Sequence, residues 1–131
     1  MKVLALDHGA ARTGVAVSDQ TGTLATPLTV VSGVDTRAGF AALLTLLGEE
    51  RPARVVVGLP LSLAGGEHAQ ACRARAFAAR LRASIDVPVE LFDERFTTLL
   101  ADRRGGRAAR DARAAATLLE DYLRTLRARG R

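Results

Sequence analysis

Three acidic positions stand where this chain changes element, and carboxylates so placed can do chemistry. Asp7 closes the apolar run of VLALDHGAARTG (Val3 to Gly14), with Gly9, Arg12 and Gly14 following it within seven residues. Asp93 and Glu94 end a second apolar run in LFDERFTT, and Asp111 opens ARDARAAATLLEDYL near the end of the chain. Carboxylates gathered at one sheet edge repel one another, and a divalent cation relieves that repulsion. A donor set of oxygens alone favours Mg²⁺ or Mn²⁺. Each position also has a plainer reading. Asp7 can be a turn former, and Asp111 can cap its helix. Asp93 and Glu94 take opposite faces of a regular strand, so only one of them can serve a shared site. Glu90, in mid-strand, reads as solvated or paired.

The elements that must position these groups follow from periodicity. Residues 2–7 are apolar on both faces, which predicts a central strand. TGVAVSD returns beside it after the glycine turn. A third strand over Leu24–Val31 contains Pro27 and so belongs at an edge. Residues 35–50 have helical spacing, with Phe40, Leu43, Leu44 and Leu47 on one face. RVVVGLP (54–60) is a buried strand, 67–84 an alanine- and arginine-rich helix, and 87–94 a further strand. A last helix is predicted from about Asp111 to Arg127, striped by Ala112, Ala115, Leu119, Leu123 and Leu126. The basic, glycine-containing stretch LADRRGGRAAR before it reads as a mobile loop. The order βββ-α-β-α-β-α predicts an α/β fold of the ribonuclease H-like (RNase H-like) kind. Its mixed five-stranded sheet carries helices on both faces.

The chain has 131 residues, which fits a single domain over 1–131. No apolar run approaches the roughly 20 residues needed to span a bilayer, and the N-terminus has no signal-peptide pattern. The expectation is a cytoplasmic protein without a membrane partner. Lone Cys72 reads as a small packed residue. Lys and Arg number 19 against 14 Asp and Glu, and every cation but Lys2 is arginine. Arginine grips phosphate in a bidentate fork, which points to a nucleic-acid partner, although coding bias produces the same excess. With four Phe, one Tyr and no Trp, a stacking platform for single strands is poorly supported.

Asp7, Gly9 and Gly14 also have the look of a phosphate-binding turn, of the kind sugar kinases and actin-like ATPases use. Those proteins close a second domain over the nucleotide, and 131 residues leave no room for one. Gly9 and Gly14 fit a turn needing close backbone approach or positive φ.

Four stretches taken together resemble one family. LALDHGAARTGVAVSD (4–19), VVVGLPLSLAGGE (55–67), DERFTT (93–98) and DARAAATLLEDYL (111–123) are similar, in order, to the YqgF/RuvX family. Its members are described as candidate Holliday-junction resolvases and candidate nucleases maturing the 5′ end of pre-16S ribosomal RNA. The resemblance implies an RNase H-like nuclease with Asp7, Glu94 and Asp111 as catalytic, metal-binding carboxylates for Mg²⁺ or Mn²⁺. It sets Arg12, Arg95, Thr97 and Thr98 on the family's other motif positions, where the arginines would meet phosphates and the threonine hydroxyls would either cap the next turn or touch the nucleic-acid backbone. Thr13 departs from the family's usual aliphatic residue, and His8, at a variable position, reads as a solvent-facing turn residue.

The implied activity is metal-dependent hydrolysis of phosphodiester bonds in branched DNA or precursor rRNA, with two ions about 3.5–4 Å apart and a 5′-phosphate product. Arg103, Arg104, Arg107 and Arg110 around Gly105–Gly106 form either a clamp on the nucleic-acid backbone or a charged loop. Symmetric cutting of a junction would call for a homodimer. The reading from another class is a nucleic-acid-binding ribosome-assembly factor with a weak or vestigial metal site.

Overall fold

The computed structural model describes residues 1–60, 69–93 and 106–130. Strands β1 (Val3–Asp7), β2 (Arg12–Ser18) and β3 (Ala25–Ser32) lead into helix α1 (Arg37–Glu50). Strand β4 (Arg54–Leu59), helix α2 (Ala69–Ser84), strand β5 (Val89–Asp93) and helix α3 (Arg107–Arg129) follow. The sheet order is β3-β2-β1-β4-β5. β1 pairs antiparallel with β2 and parallel with β4, and β4 pairs parallel with β5. The meander makes the antiparallel half; the helical crossovers return the chain parallel to β1. β1 is central, as its two-sided apolarity predicts, and β3 is an edge. Pro27 lies there against Ala16, beside a register irregularity between Val15 and Ala16, so no ladder donor is lost in the middle of the sheet.

Helices cover both faces. On one, Leu4, Leu6, Val15, Val55 and Val57 meet Phe40, Leu43 and Leu47 of α1 and Phe77 and Leu81 of α2. On the other, Val3, Ala5, Ala16 and Val56 meet Ala115, Leu118, Leu119, Tyr122 and Leu123 of α3. Alanines on both sides of this second layer let α3 come close to the sheet. No helix among the described residues is long and apolar enough to cross a membrane.

Two expectations need correction here. α3 begins at Arg107, with Gly106 as its N-cap and Arg110 N–H bonded to the Gly106 carbonyl at 3.1 Å. Residues 107–110 are thus helical, since alanine and arginine favour helix without any apolar stripe to announce it. Arg107 and Arg110 belong to the first turn of α3, while Arg103 and Arg104 lie outside the described residues. Cys72 is exposed. α2 buries Ala71, Ala74, Phe77, Ala78 and Leu81, a stripe that passes Cys72 by.

Tyr122 anchors α3 to the sheet. It is fully buried, accepts from Arg54 Nη1 at 2.7 Å and donates to Glu90 Oε1 at 3.0 Å. Glu90 is therefore paired. Burial pushes the Tyr122 phenol above its ordinary value of 10.0, and Glu90 adds to the rise against the opposing pull of Arg54. With the folded value raised, neutral Tyr122 contributes stability that is complete below pH 10.0, the ordinary value, and is lost as pH rises through the folded one. The chain has one Tyr and no Trp, so tyrosinate absorbance reads this residue alone. In an alkaline titration that absorbance should appear above the ordinary tyrosine midpoint and coincide with loss of helical circular dichroism.

Candidate active site

Asp7 is the last residue of β1 and pairs across the ladder with Gly14 of β2. Val3 and Ala5 face α3, and strand alternation carries Asp7 to the same side. Arg12 and Gly14 share that side, because Ala16 does. The helix is seated at this point. A Cβ built on Gly14 would lie 2.0 Å from the Asp111 carbonyl oxygen and 2.6 Å from its carbon. Only a glycine lets the α3 backbone rest here, directly across from Asp7, and so Asp111 arrives beside Asp7. The Asp111 side chain turns to Arg12, whose Nε donates to Oδ2 at 2.6 Å. Asp111 sits one turn inside α3 and does not cap it.

Gly9 and Gly14 both serve close approach. A Cβ on Gly9 would lie 2.3 Å from the Arg12 carbonyl oxygen, whereas the positive-φ glycines among the described residues are Gly22 and Gly33. Gly14 belongs to β2 rather than to the turn.

Asp93 ends β5 on the side away from Asp7. Phe92 faces α3, with its ring edge-on to Tyr122 at 5.5 Å, and Leu91 packs on the α1–α2 side. Alternation gives Asp93 the side of Leu91. Glu94, Arg95, Thr97 and Thr98 lie outside the described residues. Among the described residues no group of three His, Cys, Asp or Glu forms a metal cluster; Asp7 and the Asp111 backbone both adjoin Gly14 on the α3 side of the sheet. Both side chains supply oxygen donors only, and Mg²⁺ is commonly held by one or two carboxylates completed by water and phosphate. The described donors fit such an ion.

His8 departs from its expected place at the surface. It is 3% exposed, on the α1–α2 side, with its ring stacked on Phe77 at 4.8 Å. Nε2 lies 3.1 Å from Asp35 Oδ1, and the ionised carboxylate, which only accepts, assigns the proton to Nε2. This contact ties the turn after Asp7 to the start of α1. Nothing local in DHG signals it, because the partner ring comes from α2.

Thr13 is fully buried, and its hydroxyl makes no hydrogen bond among the described residues. An unpaired buried hydroxyl costs about 1–3 kcal/mol, and valine keeps the shape while suiting a strand. Thr13→Val should raise stability by about 1 kcal/mol, read as a denaturant midpoint shift at unchanged slope.

The sequence profile described as "RuvX: Holliday junction resolvase" matches residues 1–125. A relative from Streptomyces avermitilis, named "Putative pre-16S rRNA nuclease", is 43% identical; the match covers 98% of this chain and 88% of that one. One of the same name from Anaeromyxobacter sp. is 43% identical, over 94% of this chain and 96% of the relative. Among solved structures, Thermus thermophilus RuvC superposes with TM-score 0.56 at 20% identity, covering 98% of this chain and 97% of that one. RuvC has an RNase H-like fold, and the likeness gives this chain the same fold. A second structure, "T. thermophilus RuvC in complex with Holliday junction substrate", also superposes with TM-score 0.56 at 20% identity, covering 94% of each chain.

Proposed function

The chain belongs to the RuvX family, and from that premise we propose that it is a divalent-metal-dependent endonuclease. Its substrate is structured nucleic acid, either four-way-junction DNA or the 5′ end of precursor 16S rRNA. The observation that carries the reading is the seat of α3 on Gly14, which sets Asp111 beside Asp7 with Arg12 between helix and strand. The names of the relatives favour the RNA substrate; the family description favours the junction.

Asp7 and Asp111, with Glu94 as the family motif's third carboxylate, would hold Mg²⁺ or Mn²⁺. Such an ion stabilises charge on phosphoryl oxygens and lowers the pKa of a bound water. In-line attack of water on phosphorus would break the P–O3′ bond; the water gives up a proton to solvent, O3′ leaves as a hydroxyl on taking one up, and the other product carries a 5′ phosphate. Asp7 and Asp111 sit on a central strand and a packed helix, so the backbones that carry them need little rearrangement before reaction. Arg12 and Arg95 would steady phosphates near the cut. Arg103, Arg104, Arg107 and Arg110 would track the backbone further away, and Thr97 and Thr98 would add hydroxyl contacts or caps. A cytoplasmic enzyme is proposed, acting as a homodimer if its substrate is the symmetric junction.

The test is cleavage of three substrates with Mn²⁺, Mg²⁺ or EDTA. They are a four-way junction, a matched linear duplex and a 5′-extended 16S precursor. Ion-dependent cutting of the junction or the precursor, but not the linear duplex, is expected and names the substrate. Salt-sensitive binding without cutting of any would sink the nuclease reading in favour of a ribosome-assembly factor.

A further inference from the structure

We propose that Arg12 couples ion binding to nucleic-acid binding: it neutralises Asp111 in the free protein and gives that carboxylate up when a phosphate takes its guanidinium. The inference rests on the reading above, that Asp7 and Asp111 hold a divalent ion. The Nε–Oδ2 contact is short, at 2.6 Å, and charge-assisted. The Arg12 and Asp111 side chains are 34% and 31% exposed, so incoming ligands reach both.

Neither backbone can drift. The Gly9 turn packs on the Arg12 carbonyl, and the α3 backbone rests on Gly14. Only side-chain torsions are left to change the partner of Asp111. Arginine keeps its charge at every working pH. A divalent ion at Asp111 would therefore meet a fixed positive charge a few ångströms away and would also have to compete with the existing pair. Both effects weaken ion binding in the free protein. Phosphate offers the guanidinium a bidentate partner, which releases the Asp111 charge to the ion. By linkage, the ion strengthens phosphate binding by the same factor. The chain thereby takes up its ion together with substrate.

The probe is Mn²⁺ itself, its free concentration read by electron paramagnetic resonance with the full chain and no nucleic acid. Arg12→Gln should bind Mn²⁺ about 5–10-fold more tightly than wild type, as removal of one neighbouring charge implies. Arg12→Lys, which keeps the charge, should stay within about twofold of wild type. A short duplex oligonucleotide should tighten Mn²⁺ binding in wild type and do so much less in Arg12→Gln. An Arg12→Gln protein with unchanged or weaker Mn²⁺ affinity overturns the coupling while leaving the site intact. Unchanged Mn²⁺ uptake in Asp7→Asn overturns the site and the coupling with it.

Discussion

Gly14→Ala should cost the protein about 3 kcal/mol and lower cleavage roughly 100-fold, although it adds a single methyl group. The added Cβ would meet the Asp111 carbonyl oxygen at 2.0 Å. That atom is backbone in a helix held to the sheet by Leu118, Leu119 and Tyr122, so it cannot rotate aside. Either α3 lifts from β2 or the strand buckles, and both responses move Asp111 away from Asp7. A glycine-to-alanine change in open space within a helix acts in the opposite sense. Gly48 has nothing within 4 Å of a built Cβ. Gly48→Ala in α1 should therefore stabilise by about 0.5–1 kcal/mol. The contrast between the two variants, measured in denaturant melts and cleavage rates, separates a lost seat from a general substitution effect. A Gly14→Ala protein as stable and active as wild type would contradict the placement of α3.

Asp7→Asn is the second large effect, and it should spare the fold. Asparagine keeps the shape of aspartate and removes one of two neighbouring like charges, so stability should change by no more than about 1 kcal/mol. In EDTA, nucleic-acid affinity should stay within about threefold, because phosphate contacts come from arginines and not from Asp7. Turnover should fall by roughly 1,000-fold or more, since a neutral amide replaces an anionic ligand where charge develops. A variant that loses binding and turnover together would point to misfolding or to a role for Asp7 in phosphate recognition.

Much of this arrangement was legible because strong periodicities wrote it. The apolar KVLAL run announces a central strand, Pro27 an edge, and the leucine stripe from Leu119 to Leu126 a packed helix. The contacts that build the site are of another kind. Arg12 and Asp111 meet across 99 residues of sequence, and no local pattern states that Gly14 carries a helix on its back. The same limit explains His8, whose neighbours in sequence suggest a surface turn while Phe77 of α2 buries it. The start of α3 was missed because Arg107–Arg110 have helical propensity but no apolar face. Asp111 therefore admits a capping reading beside that of an ion ligand. Element order suggests that Asp7 and Asp111 share one sheet edge; the resemblance to the RuvX family adds the choice of Glu94 over Asp93 as the third carboxylate.

The most direct test of the central claim is single-turnover cleavage of the preferred substrate by wild type and Asp7→Asn, each in Mn²⁺ and in EDTA, at enzyme concentrations that saturate binding. Wild type should cut in Mn²⁺ alone, leaving 5′-phosphate ends, and Asp7→Asn should cut essentially not at all under either condition. Equal cutting by the two proteins, or cutting by wild type that persists in EDTA, would contradict that claim.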